Sequence, residues 1–164
     1  VSDRASADGD APPQCAPDGG APTLRALVAA DIEAMLDLWR RAGLPHRPSG
    51  RDAPGAIAAQ LETEGELFLG AFAGERLVAT ALGTLDGRQK GWIQRLAVDP
   101  AWRRRGLAAR LVAALEKRLE ARGCLILAAL IEADNASSLA LFEQRLGFER
   151  TEIVYLRRPR RSDA

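Results

Sequence analysis

The chain has 164 residues, 47% of them hydrophobic and 27% charged, a length and composition that suit one globular domain with a sizeable core. With 23 basic residues against 22 acidic ones the net charge is +1, which gives no global reason to expect nucleic acid or an anionic membrane as a partner. No stretch approaches the roughly 20 apolar residues that span a bilayer.

Residues 1–21 are rich in Asp, Gly, Pro, Ala and Ser and show no hydrophobic periodicity, so they read as a flexible tail. Their charges are not followed by an apolar h-region, which argues against a secretory signal. Cys15 lies in this tail and Cys124 opens an apolar run, so a structural disulfide is not expected. That usage suits a reducing cytoplasm, where the protein is expected to reside. Two Cys and the single His46 make no recognisable zinc site.

The predicted domain covers residues 22–158. It opens with a strand over 23–27, and Asp31 then starts a helix carrying Ile32, Met35, Leu36 and Trp39 at helical spacing, closed by Gly43. Residues 44–55 are dense in Pro and Gly and read as a loop, in which His46 reads as an exposed polar residue. A short helix over 56–64 follows. Two strands over 67–72 and 77–82 meet at Gly74-Glu75 as a hairpin, and Asp86-Gly87 leads into a strand over 92–98 ended by Asp99-Pro100. Between Gly106 and Arg122, Leu107, Leu111, Leu115 and Leu119 recur every fourth position with charges between them, the mark of an amphipathic helix. Gly123 stops it. Residues 124–131 form a continuous apolar run, read as a strand buried on both faces. Asn135 caps another helix, with Leu139, Phe142 and Leu146, ended by Gly147. A last strand covers 151–156, and residues 159–164 form a basic tail; the arginines at 157–161 read as a solvated run. The whole is a mixed-sheet α/β domain with a strand–helix–strand unit at its centre.

The segment most suited to chemistry is Leu96-Ala97-Val98-Asp99-Pro100-Ala101-Trp102-Arg103-Arg104-Arg105-Gly106-Leu107-Ala108. A strand ends, a short loop turns, and a helix opens. Free main-chain N–H groups and the positive dipole end at a helix start suit phosphate, and Gly106 and Ala108 keep bulk away from those amides. Three arginines add local positive charge to an otherwise neutral chain.

Here the sequence resembles the GNAT superfamily of acyl-CoA-dependent N-acyltransferases. The Arg/Gln-x-x-Gly-x-Gly/Ala motif is met by Arg103, Gly106 and Ala108. It is flanked in register by Leu96-Ala97-Val98-x-Pro100 and by Asn135 with Leu141-Phe142-Glu143-x-x-x-Gly147-Phe148. The resemblance covers residues 24–156. It implies a mostly antiparallel mixed sheet flanked by helices, with a central pair of parallel strands that splay apart around the pantetheine arm of acetyl-CoA. Leu96, Ala97 and Val98 would line that arm, and the Val98 N–H would polarise the thioester carbonyl. Arg103 and the amides of Arg104, Arg105, Gly106, Leu107, Ala108 and Ala109 would hold the diphosphate. Asn135 and Phe142 would border the pantetheine.

Three positions depart from the family's pattern. Many relatives have a tyrosine, acting as general acid, where this chain has Phe142. Some have a glutamate where it has Trp92, and the ribosomal-protein acetyltransferases have one where it has Leu130. Gln94, Glu132 and Tyr155 are the remaining polar candidates, each with an ordinary structural role as the alternative. The functional expectation is an N-acetyltransferase moving acetyl directly to a primary amine in a ternary complex, as a monomer or homodimer. A small-molecule acceptor is favoured over a peptide N-terminus or lysine. The rival reading is a CoA-binding sensor or subunit whose catalysis has lapsed.

Overall fold

The computed structural model describes residues 20–156 and residue 158. A five-stranded sheet runs in the spatial order β1 (Thr23–Ala26), β2 (Phe68–Ala73), β3 (Arg76–Leu85), β4 (Lys90–Val98) and β5 (Ile126–Ala129). The first four strands pair antiparallel and β4 pairs parallel with β5. This is the mostly antiparallel mixed sheet that the resemblance implies. The hairpin at Gly74-Glu75 and the turn at Asp86-Gly87 fall where turn chemistry places them.

Helices α1 (Ile32–Ala42) and α2 (Pro54–Glu64) cover one face of the sheet. Their core unites Ile32, Met35, Leu38, Trp39 and Ile57 with Phe68, Phe72, Leu77 and Ala97 from the sheet. Helix α3 (Leu107–Ala121) covers the other face. Its stripe of Leu107, Leu111, Leu115 and Leu119 is buried against Val78, Ala79, Ala81 and Ile93. The every-fourth-residue spacing thus defines a single contact line, as amphipathic geometry requires. The approach is close. A Cβ at Gly91 would lie 2.9 Å from Leu119 Cδ2 and 3.2 Å from Cys124 Sγ. Only glycine lets the helix sit down where β4 starts.

The structure corrects the sequence reading in its last third. The apolar run over 124–131 gives a strand only over Ile126–Ala129, and it is not buried on both faces. Leu125, Ile126 and Leu130 are 77%, 56% and 58% exposed. Residues 151–156 form no strand, and Ile153, Val154, Tyr155 and Leu156 are exposed. The two departures have one cause: among the described residues β5 is the edge of the sheet, and the segment expected to form a further strand has no pairing partner there. The helix after Asn135 also changes type. One turn of α4 (Ala136–Leu139) passes into a π-helical turn, Ala140–Arg145, in which Leu146 N–H reaches the carbonyl of Leu141. The predicted tails over 1–19 and 159–164 lie outside the described residues.

Gly91→Val should lower unfolding free energy by about 1–3 kcal/mol through overpacking under Leu119, measured by urea denaturation. An unchanged midpoint would show that α3 can lift from the sheet at little cost.

Candidate active site: a splayed strand pair beside an open helix start

Strand β4 changes character halfway along. Its register with β3 runs Gly91↔Leu85 to Gln94↔Leu82, then resumes at Ala97↔Thr80 and Val98↔Ala79. Two residues, Arg95 and Leu96, therefore face the single Ala81, and Arg95 has φ 50. This is a β-bulge, and it shifts the side-chain alternation by one. Ile93 packs in the α3-side core while Ala97 packs on the α1 side, although an even pleat would put both on one face. Pairing with β5 ends at Ile93↔Ala129, so β4 and β5 part beyond it. The Asp99 N–H donates to Val78 O at 2.9 Å. By alternation along the strand, Leu96 and Val98 turn their main-chain groups away from β3, into the gap.

A buried chain of hydrogen bonds holds the bulge. The Trp39 indole N–H donates to Thr80 Oγ1 at 3.1 Å, and the Thr80 hydroxyl donates to Arg95 O at 3.2 Å. The Arg95 guanidinium donates to both Asp52 carboxylate oxygens, at 2.5 and 2.7 Å, and to Pro45 O at 2.8 Å, and lies 5.2 Å from the Trp39 ring centre. Burial pulls the Arg95 pKa down, an effect opposed by the neighbouring Asp52 charge. Asp52 also accepts the Arg47 N–H at 2.7 Å. The loop 44–55 is thereby moored over the α1 side of the bulge. Half-buried His46 sits on it, edge-on to Trp39 with ring centres 6.2 Å apart and Nδ1 3.2 Å from Leu44 O.

Past β4 the chain makes a short 3₁₀ turn, Pro100–Trp102, pinned by buried Asp99. This carboxylate accepts from Ala101 N–H at 3.1 Å, Arg76 at 2.9 Å and Arg41 at 3.2 Å. Burial alone would push its pKa up; the hydrogen bonds from Ala101, Arg76 and Arg41 outweigh that and hold it below the ordinary value. Trp102 is buried, its Nε1 without a hydrogen-bond partner among the described residues, and the Arg105 guanidinium lies 4.7 Å from its ring centre. Arg104 at φ 62 and Gly106 at φ 75 both take the left-handed conformation. Gly106 caps α3 without a side-chain hydrogen bond. Among the described residues, no protein acceptor meets the N–H groups of residues 104–109. They form a row of free donors at the positive end of a 15-residue helix.

The structure brings Leu96, Val98 and the 104–109 amides to one end of the strand gap. Arg103 is a strut instead of a free cation: its side chain donates to Ala42 O at 2.9 Å and to Val98 O at 3.3 Å. Gln94 is exposed and donates to Thr84 Oγ1 at 2.9 Å. Glu132 is exposed beyond β5, and Tyr155 stands in the unpaired segment. Asn135 accepts the Ser138 N–H at 3.1 Å as a helix cap. Phe142 is buried, its ring 5.0 Å from that of Phe148. Sequence reasoning missed Trp39, Thr80, Asp52 and Asp99. The one signal was the polar pair Gln94-Arg95, which interrupts the alternation of β4 where the bulge falls.

A mixed sheet whose parallel strand pair opens beside a helix start with free amides is the fold of an acyltransferase. The sequence profile of the acetyltransferase (GNAT) family matches residues 32–148, and the chain belongs to that family. It is 34% identical over 133 residues to an acetyltransferase of Pectobacterium atrosepticum, covering 81% of this chain and 92% of that one. The Escherichia coli ribosomal-protein-S18-alanine N-acetyltransferase superposes with a TM-score of 0.64 at 26% identity, over 79% of each chain. The PaiA N-acetyltransferase of Thermoplasma acidophilum, solved in complex with coenzyme A, has the same fold. It superposes with a TM-score of 0.66 at 17% identity, over 75% of this chain and 87% of that one.

Thr80→Val leaves the Trp39 indole N–H without its acceptor and frees the bulge carbonyl. It should cost about 1–3 kcal/mol and raise the KM for the acyl donor; a loss of stability with KM unchanged would separate the hydrogen-bond chain from the cleft. Asp99 gives a pH signature. Its folded pKa lies below its unfolded one, so its contribution is complete above about pH 5 and drains away as pH falls through the folded value. Asp99→Asn should cost about 1–2 kcal/mol at pH 7, since both guanidinium partners are partly solvated. The difference from wild type should shrink towards pH 3 in urea titrations.

Proposed function

We propose that the protein transfers an acetyl group from acetyl-CoA to a primary amine, directly and within a ternary complex. The observation that carries this reading is the alignment of two sets of free main-chain donors. One is the gap-facing N–H groups of Leu96 and Val98, and the other is the amide row at residues 104–109. Pantetheine would lie along the first, with the thioester carbonyl polarised by Val98 N–H, and the diphosphate would rest on the second. Arg104 and Arg105 add charge at the diphosphate. Arg103 acts through its hold on the Val98 carbonyl. The amine would enter from the α1 side, beneath the moored loop 44–55. The family's glutamate and tyrosine are replaced here by Leu130 and Phe142, which favours a small-molecule acceptor over a peptide or lysine. Gln94, Glu132 and Tyr155 are exposed, and no acid–base role is assigned to them.

The chemistry needs an amine without its proton, a donor for the developing oxyanion, and a departing thiolate. Trp92, Leu130 and Phe142 supply no acid or base. Orientation in the cleft and the main-chain donor therefore provide most of the acceleration, and a thiol of pKa near 8.5 leaves without help. The amine gives its proton to solvent.

Gly106→Glu should abolish the thermal stabilisation produced by CoA, because a non-glycine side chain at φ 75 strains the cap and its charge opposes the diphosphate. Undiminished affinity in the folded variant would refute the placement of the diphosphate. With no residue acting as base, kcat/KM should climb with pH towards the acceptor's own pKa, near 10 for an alkylamine. A plateau near neutrality would reveal a residue base. CoA binding without turnover across a broad amine library would favour the lapsed sensor instead.

A further inference from the structure

Charge is spread unevenly over the α1 side of the molecule. Residues 37–55 and 95–105 comprise the end of α1, the moored loop, the bulge and the turn into α3. They hold eight arginines against three aspartates, in a chain whose net charge is +1. Hydrogen bonds knit these segments into one surface: Arg41 to Asp99, Arg95 to Asp52 and Pro45 O, and Arg103 to Ala42 O. All three aspartates are already engaged. Asp37 pairs with Arg40, Asp52 receives the Arg95 guanidinium on both oxygens, and Asp99 holds Arg41 and Arg76. Arg103 is bonded to main-chain carbonyls, and Arg104 and Arg105 lead into the amide row.

Arg47 and Arg51 are left over. Both are exposed, and among the described residues the Arg47 side chain has no carboxylate partner. Arg51 Nε comes only within 3.9 Å of Asp52, whose oxygens Arg95 already occupies. Both residues are nevertheless tethered. Arg47 lies two positions past Pro45 and Arg51 is next to Asp52, the two anchors that bind the single Arg95 guanidinium. Arg95 in turn makes the bulge, one position before Leu96 at the strand gap. Two cations without a counter-charge are thus held over the α1-side approach to the thioester. Such a pair disfavours a second cation and favours an oxyanion, which a guanidinium can bind with two parallel hydrogen bonds.

We propose that Arg47 and Arg51 select an acceptor amine that also bears an anionic group, a carboxylate or a phosphate, and turn away amines with a second positive charge. This rests on the acetyl transfer proposed above and adds the charge of the acceptor to it. The anionic group pairs with the loop guanidiniums, and the amine reaches past them to the thioester carbonyl. Because Asp37, Asp52 and Asp99 are all occupied, no carboxylate on this surface competes for the loop arginines or attracts a polycation.

The test measures kcat/KM of the full chain over a library of small amines. At its centre is a matched set, β-alanine, O-phosphoethanolamine, ethanolamine and ethylenediamine, which differ only in the group two carbons from the amine. The anionic amines should be preferred over the neutral and dicationic ones at least about tenfold, and added salt should erode that preference. Whichever of β-alanine and O-phosphoethanolamine leads shows which anion the loop takes. Arg47→Glu, at an exposed position, should reverse the order of anionic and dicationic amines, whereas Arg47→Lys should keep it. Arg51→Gln should reduce the preference about two- to fivefold. Rates that ignore acceptor charge overturn this proposal and leave the acetyl transfer standing. A rise in KM for acetyl-CoA in Arg47→Glu with the preference unmoved overturns it too, and assigns the arginine to the carrier. Turnover on no amine at all overturns both readings together.

Discussion

The carbonyl of Arg95 accepts the hydroxyl of Thr80, whose oxygen accepts the indole N–H of Trp39, and the Arg95 guanidinium closes on Asp52. Together these contacts keep one extra residue in β4. That residue changes which face each later side chain meets and ends the pairing with β5 after Ile93. Without it, the main-chain groups of Leu96 and Val98 would be engaged in a continuous parallel ladder. The cleft is therefore a fault in a sheet, stabilised by buried polar groups that are paired among themselves.

Two sides of the molecule meet at this fault. The α3 side presents the amide row and the Leu stripe that seats it, with Gly91 allowing the close approach. The α1 side presents the loop 44–55. Arg103 joins them, bonded at once to the last turn of α1 through Ala42 O and to β4 through Val98 O. Asp99 joins them a second time, linking α1 through Arg41 and β3 through Arg76 to the turn that leads into the amides. The two sides are thus built from different elements yet share their anchoring residues, and a substitution at an anchor disturbs both.

Much of this was legible from the sequence. The Leu107 to Leu119 spacing, the turn residues at Gly74 and Asp86, and the Asp31 and Gly43 helix limits each follow from local periodicity or turn chemistry. The amide row was legible because a strand, a turn and Gly106 occur in succession. The Asp52–Arg95 pair was not, because 43 positions separate its partners and neither residue type announces a contact. The exposure of β5 was misread for a related reason. An apolar run does not by itself tell a strand at the edge of a sheet from one at its centre. The π turn at Ala140–Arg145 also left no trace, since its spacing of Leu139, Phe142 and Leu146 fits an ordinary helix equally well.

The loop 44–55 touches the bulge through few points, chiefly the Pro45 carbonyl and the Asp52 carboxylate. Between them Arg47, Pro48, Ser49 and Arg51 project into solvent. Replacement of those four side chains leaves the strand fault and the amide row untouched. Those four positions are therefore free to diversify by drift in a handful of codons, while the strand fault beneath them is inherited intact.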